Sequence, residues 1–153
     1  MTQQITLNEI YRQLQQKPEY MDLGREATEE EIKHIENTLQ VKLPEYYADF
    51  LRRFGFMLGD GICINGVCPS ELNDYVSVID FTKDRREGKY YAEGLPKLEH
   101  NAVVVLDNGE SYVSLFCEGH PRAGQVVWRH LAEDYRETET FENFPQFLTF
   151  WLD

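Results

Sequence analysis

The sequence is poor in positive charge. Lys and Arg number 15 against 27 Asp and Glu, a formal charge of −12 over 153 residues. Such a balance opposes contact with phosphate backbones and anionic lipid and favours a basic partner, although net acidity also serves solubility alone. The excess divides evenly on either side of Val76, so it belongs to the folded surface and not to a tail. No apolar run approaches the length of a membrane-spanning helix. The first twenty residues have no basic segment followed by an apolar one, so a secretory signal is not expected and the cytoplasm is the expected address. The three cysteines cannot all pair, and cysteine in a reducing compartment is most often a small buried apolar group.

Catalytic signatures are also missing. There is no GxSxG, GxGxxG, P-loop or HExxH. Cys63, Cys68, Cys117 and His120 have neither of the paired-knuckle spacings of a zinc site, and His34, His100 and His130 stand apart from any nucleophile. No enzyme, metal or cofactor is therefore expected. The length suits one domain over residues 1–153 with one sizeable core.

What is present is a run of well-signalled elements. Ile5, Ile10 and Leu14 with Tyr11 predict a first helix from about Thr6 to Gln16, with Leu7 on the same face, ended by Lys17-Pro18. Tyr20 to Arg25 reads as a loop. Thr28 with Glu31 forms a capping box for a helix over Glu29 to Gln40, whose Ile32, Ile35 and Leu39 make a buried stripe. Leu43 to Gly55, LPEYYADFLRRFG, carries Pro44 for the first turn and a stripe of Tyr47, Phe50, Leu51 and Phe54. Gly55 supplies its stop, and Arg52 and Arg53 complement the negative end of its dipole.

The residues from Ile62 to Val67 have strand character, and Asn65-Gly66 is compatible with a tight hairpin placing Cys63 opposite Cys68. From Asp74 to about Tyr90 the spacing of Tyr75, Val78, Ile79 and Thr82 fits a helix, with strand propensity at Val76, Val78 and Ile79; Arg85, Arg86 and Lys89 near its end complement the dipole. Ala102 to Leu106 and Ser111 to Cys117 predict a hairpin around Asp107-Asn108-Gly109, in the form of a three-residue loop with a glycine bulge. Gln125 to Arg129 gives another strand. Beyond an acidic loop, Asn143 or Thr140 caps a last helix, with Pro145 in its first turn and a stripe of Phe144, Phe147, Leu148 and Trp151. The order of elements places the chain in the α+β class.

Four segments resemble the SUKH superfamily, also called the Smi/Knr family, which includes a fungal cell-wall regulator and many bacterial immunity proteins. They are TEEEIKHIENTLQVKLPEYYADFLRRFG, VVVLDNGESYVSLF, GQVVWRH with Trp128, and FENFPQFLTFW. The resemblance spans Thr28 to Trp151 and implies a central twisted, mostly antiparallel sheet of about four to six strands flanked by N-terminal, middle and C-terminal helices, in a non-enzymatic binding domain. It points to an immunity protein that neutralises a cognate toxin, or to a regulatory or scaffolding module. A small-ligand binder or enzyme with a cleft near Asp107, Glu118 and Trp128 is a further reading.

The residues favour an interaction surface at Glu133, Asp134, Tyr135, Glu137 and Glu139, joined by Asp107 and Glu110 on the hairpin turn. Carboxylates around an exposed aromatic steer a basic protein and offer it buried area. The alternative is a solvated loop with Tyr135 tucked onto the core.

Overall fold

The computed structural model describes residues 7–16, 21–23, 25–59, 62–68, 76–88, 91 and 94–152. Several positions used above lie outside the described residues: Ile5, Thr6, Lys17, Pro18, Tyr20, Asp74, Tyr75, Lys89 and Tyr90, and the side chains of Leu7, Leu14 and Trp151. The elements run α1 (Leu7–Gln15), β1 (Met21–Leu23), α2 (Glu29–Leu39), α3 (Glu45–Phe54), β2 (Met57–Gly59), β3 (Ile62–Ile64) and α4 (Val78–Glu87), followed by β4 (Ala102–Asp107), β5 (Ser111–Phe116), β6 (Val126–His130), β7 (Glu137–Phe141) and α5 (Phe144–Leu152). The class is α+β. The strands form an antiparallel four-stranded sheet, β4-β5-β6-β7, and a small antiparallel sheet, β1-β2-β3.

Local chemistry accounts for the helices. The Thr28 side chain accepts from Glu31 N, and the Glu31 carboxylate accepts from Thr28 N, so the capping box is complete. At the far end of α2, Gln40 adopts the left-handed conformation, and Glu36 turns inward to accept from Leu43 N at 2.8 Å. Pro44 caps α3 from outside instead of occupying its first turn, and its carbonyl accepts from Tyr47 and Ala48. The expected stripe of Tyr47, Phe50, Leu51 and Phe54 is fully buried, with Phe144 of α5 meeting Tyr47 and Phe50 edge to face at 5.2 and 5.3 Å. Asn143, not Thr140, caps α5 by accepting from Gln146 N at 2.9 Å.

The segment from Tyr20 to Arg25 was expected to be a loop, yet Met21–Leu23 pairs with β2 as a strand. Isolated by sequence, three residues carry too little pattern to declare a strand; the pairing comes from their neighbour. The strand expected to reach Val67 ends at Ile64. Cys63 lies opposite Leu58, so the hairpin that would have placed it against Cys68 is not formed. Asn65 is buried and leaves the small sheet for the large one: its N–H donates to Val105 O at 2.7 Å and its side-chain amide to Val104 O at 3.1 Å, while its own carbonyl accepts from the Tyr47 hydroxyl.

Two apolar clusters sandwich the four-stranded sheet, as alternation along each strand requires. Val103, Val105, Val113, Leu115 and Val126 face α1, α2, α3 and α5. Ala102, Val104, Tyr112, Phe116 and Val127 face Phe81 of α4, Tyr91, Leu95, Leu98 and Tyr135.

Candidate functional site

The acidic segment after β6 is not the loop its composition suggested. Leu131–Glu133 forms a 3-10 turn, and Glu137–Phe141 forms the outermost strand of the large sheet. Its Glu-Thr-Glu-Thr alternation has period two but no apolar half, because only Phe141 is buried; hydrophobic patterning cannot reveal a strand that faces water on both sides. Glu137 lies opposite Arg129 and Glu139 opposite Trp128.

Leu131 N donates to Glu110 O at 2.7 Å, which pins the tip of the β4–β5 hairpin against the 3-10 turn. This contact brings exposed Glu110 beside Leu131, which is 45% exposed and lies just before exposed Glu133 and Asp134 in the chain. No described residue forms a salt bridge with these three carboxylates. Glu137 sits differently: Arg122 grips it at 2.6 and 3.1 Å, and these hydrogen bonds hold its carboxyl below the usual carboxylate range. Glu139 is exposed and makes no ion pair among the described residues.

The Asp107 side chain is internal, which corrects the surface position expected for it, and Tyr135 takes the alternative of packing onto the core. Tyr135 is 3% exposed and takes a left-handed backbone, φ 58°, directly after Asp134 at φ 54°. Two successive non-glycine residues in this region turn the chain sharply and send the ring inward. There its hydroxyl accepts from Arg85 Nη1 at 2.8 Å. Arg85 lies in the last turn of α4, as expected, and is also the third buried member, after Val78 and Thr82, of that helix's inner stripe. Its side chain is 7% exposed and that of Asp107 5%.

Nε and Nη2 donate to the Asp107 carboxylate at 2.7 and 2.8 Å, Nη1 to the Tyr91 and Tyr135 hydroxyls, and Nη2 also to Gly109 O. All five guanidinium donors are thereby used. The guanidinium also lies over the Tyr112 ring at 4.5 Å. Burial pushes its pKa down, but the bonds to Asp107 and the two tyrosines outweigh that and hold it above the ordinary arginine value. The hairpin differs from the expected three-residue loop: β4 continues through Asp107, Gly109 with φ 93° stands mid-loop, and the extra residue lies at Val105 instead of after the glycine.

The proposed cleft near Asp107, Glu118 and Trp128 does not form, because Asp107 and Glu118 lie at opposite ends of the β4–β5 hairpin. Among the described residues no three His, Cys, Asp or Glu side chains are placed to hold a metal ion. His120 stacks on Phe116 at 4.1 Å and meets Glu99 at 2.9 Å. Burial pushes the Cys63 thiol up to about 11 and the Cys117 thiol to about 12, the opposite of the activation a nucleophilic cysteine needs.

Two features carried no sequence signal as sites. A groove of about 460 Å³ runs between α2, Gly66–Cys68 and the start of α4, and includes Glu30, Glu31, His34 and Asp80 in its lining. Glu31 is already committed to the helix cap and to Arg25, and Asp80 sits in the first turn of α4. On α5, Phe150 is 47% exposed and meets Trp128 at 6.1 Å and Phe141 at 5.7 Å.

The site is thus the rim of an α+β domain whose sheet is covered on both faces, by α1, α2, α3 and α5 on one and by α4, Tyr91 and Tyr135 on the other, with Glu110, Glu133, Asp134 and Glu139 exposed. The family model described as SMI1-KNR4 cell-wall, of the SUKH group, matches residues 7–152. The chain belongs to this family. A search of curated proteins found no match. Among the described residues no helix is long and apolar enough to cross a membrane.

Proposed function

We propose that this chain is a single, non-enzymatic protein-binding domain acting in the cytoplasm as an immunity protein, which neutralises a cognate bacterial toxin by direct contact. The toxin is basic, and a nuclease, whose substrate face must attract phosphate, is the class that this charge fits. Membership of the SUKH group supports the reading. The observation that carries it is the end of the sheet where exposed Leu131, Glu110, Glu133 and Asp134 share the hairpin tip and the turn pinned to it. An apolar group beside uncompensated charge gives a partner both buried area and electrostatic steering. Glu139, farther along β7, extends the same field, and Glu137 contributes less because Arg122 neutralises it. Asp107 and Tyr135 hold this surface up from beneath.

The words cell-wall in the family description favour a second reading, a regulatory module that binds another protein without inhibiting a toxin. Co-expression separates the two. A toxic domain encoded beside this chain should lose its toxicity and co-purify with it as a stable complex. Continued killing with no complex, for every such neighbour tested, removes the immunity reading.

A further inference from the structure

The two edges of the large sheet are finished differently. The β4 edge is closed from within: Val104 N–H donates to Thr82 Oγ1 at 2.9 Å, Val104 O accepts from the Asn65 side chain, and Val105 O accepts from Asn65 N–H. At the opposite edge no described strand pairs with the outer side of β7, and Thr138, Glu139 and Thr140 are all exposed. An open edge presents a row of backbone donors and acceptors that another chain can complete.

The side chains decide which chain fits. Glu139 shares a sheet face with its cross-strand partner Trp128, and on that face Trp128 and Phe141 meet the half-exposed Phe150 of α5. Antiparallel pairing of two β7 strands from two copies, centred on Glu139, would bring Glu139 of each against the same residue of the other, on molecules that each carry −12. Like charges directly opposite destabilise a strand pair. A strand carrying Arg or Lys at alternate positions meets the opposite situation: its cations reach Glu139, and their stems and planar groups rest on Trp128 and Phe150.

We infer that β7 is a strand-addition site, and that its occupant is an extended basic segment of the partner protein. The inference rests on the protein-binding reading above and adds the mode of contact. Acidic residues along the edge thus serve two ends, discouraging self-pairing and admitting a basic strand.

The test uses the full chain and two synthetic ten-residue peptides, one alternating Arg with Val and one alternating Glu with Val. The basic peptide should slow amide exchange at residues 137–141 by roughly tenfold or more, as new backbone bonds would, while the acidic peptide leaves it unchanged. Glu139→Lys, with its fold checked by thermal melting, should weaken binding of the basic peptide by roughly tenfold, and Glu139→Gln by less. Unchanged exchange in β7 at saturating basic peptide, or protection confined to another element, overturns the inference, as does a β7-paired dimer of the chain in solution. A toxin that is neutralised with no protection of β7 leaves the immunity reading standing and removes this one. Protection by the basic peptide without rescue from any toxin does the reverse.

Discussion

Replacing Asp107 with Ala should act on stability and not on recognition. Among the described residues the carboxylate is the sole anion bonded to a guanidinium that is 7% exposed, and it supplies acceptors for Nε and Nη2. Tyr91, Tyr135 and Gly109 O would still accept three bonds, but none carries the opposing charge. Removing one partner of a buried ion pair costs about 3–5 kcal/mol, because the other is left buried and uncompensated. At this chain length each kcal/mol lowers the melting temperature by about 2–4 °C, so a fall of roughly 6–20 °C is expected. Urea denaturation monitored by circular dichroism supplies the free energy directly. Arg85→Met combined with Asp107→Leu should cost less than Asp107→Ala alone, since no charge is stranded. A loss under about 1 kcal/mol, the value of an exposed ion pair, would refute the reasoning.

Four further outcomes follow from the geometry. Gly66→Ala should destabilise by about 3 kcal/mol or more, since its Cβ would lie 1.8 Å from Gly55 O and 2.9 Å from Leu51 Cδ2; equilibrium denaturation checks it. Thr28→Ala removes the acceptor of the α2 capping box and should cost about 1 kcal/mol in the same assay. In the fold the Cys63 and Cys117 thiols stand at about 11 and about 12, above the usual value of 9. The stability they contribute is thus complete below pH 9 and lost as pH rises from 9 to 12, and Cys117→Ala should flatten that fall in the urea midpoint. Charge reversal of Glu133 and Asp134 to Lys should slow association with a basic toxin roughly tenfold or more at low salt and leave the melting temperature nearly unchanged; an unchanged on-rate in stopped flow removes this surface.

Sequence reasoning succeeded where a signal is local. The Thr28–Glu31 box, the α3 stripe and the inward faces of β5 depend on neighbours three or four residues apart, or on alternation, and each was legible. Asp107, Tyr135 and Arg85 were not, because their partners lie 22 and 50 residues apart along the chain. Charge alone suggested water for Asp107 and Arg85, and local pattern left Tyr135 between surface and core, whereas complementary groups arriving from α4, the hairpin and the β6–β7 link make burial tolerable. Asn65-Gly66 carried a turn signal that tertiary packing overrode, since Asn65 meets its backbone needs at the β4 edge. β7 was missed for the opposite reason: it buries too little to leave a hydrophobic trace, and the same exposure keeps its carboxylates available.

The most direct measurement of the central claim is the binding of this purified chain to the toxic domain encoded beside it, followed across salt concentration. A stable complex that abolishes toxicity, forms more slowly as salt rises, and weakens on reversal of Glu133 and Asp134 is the predicted result. No complex at micromolar concentrations and unabated toxicity would contradict the account.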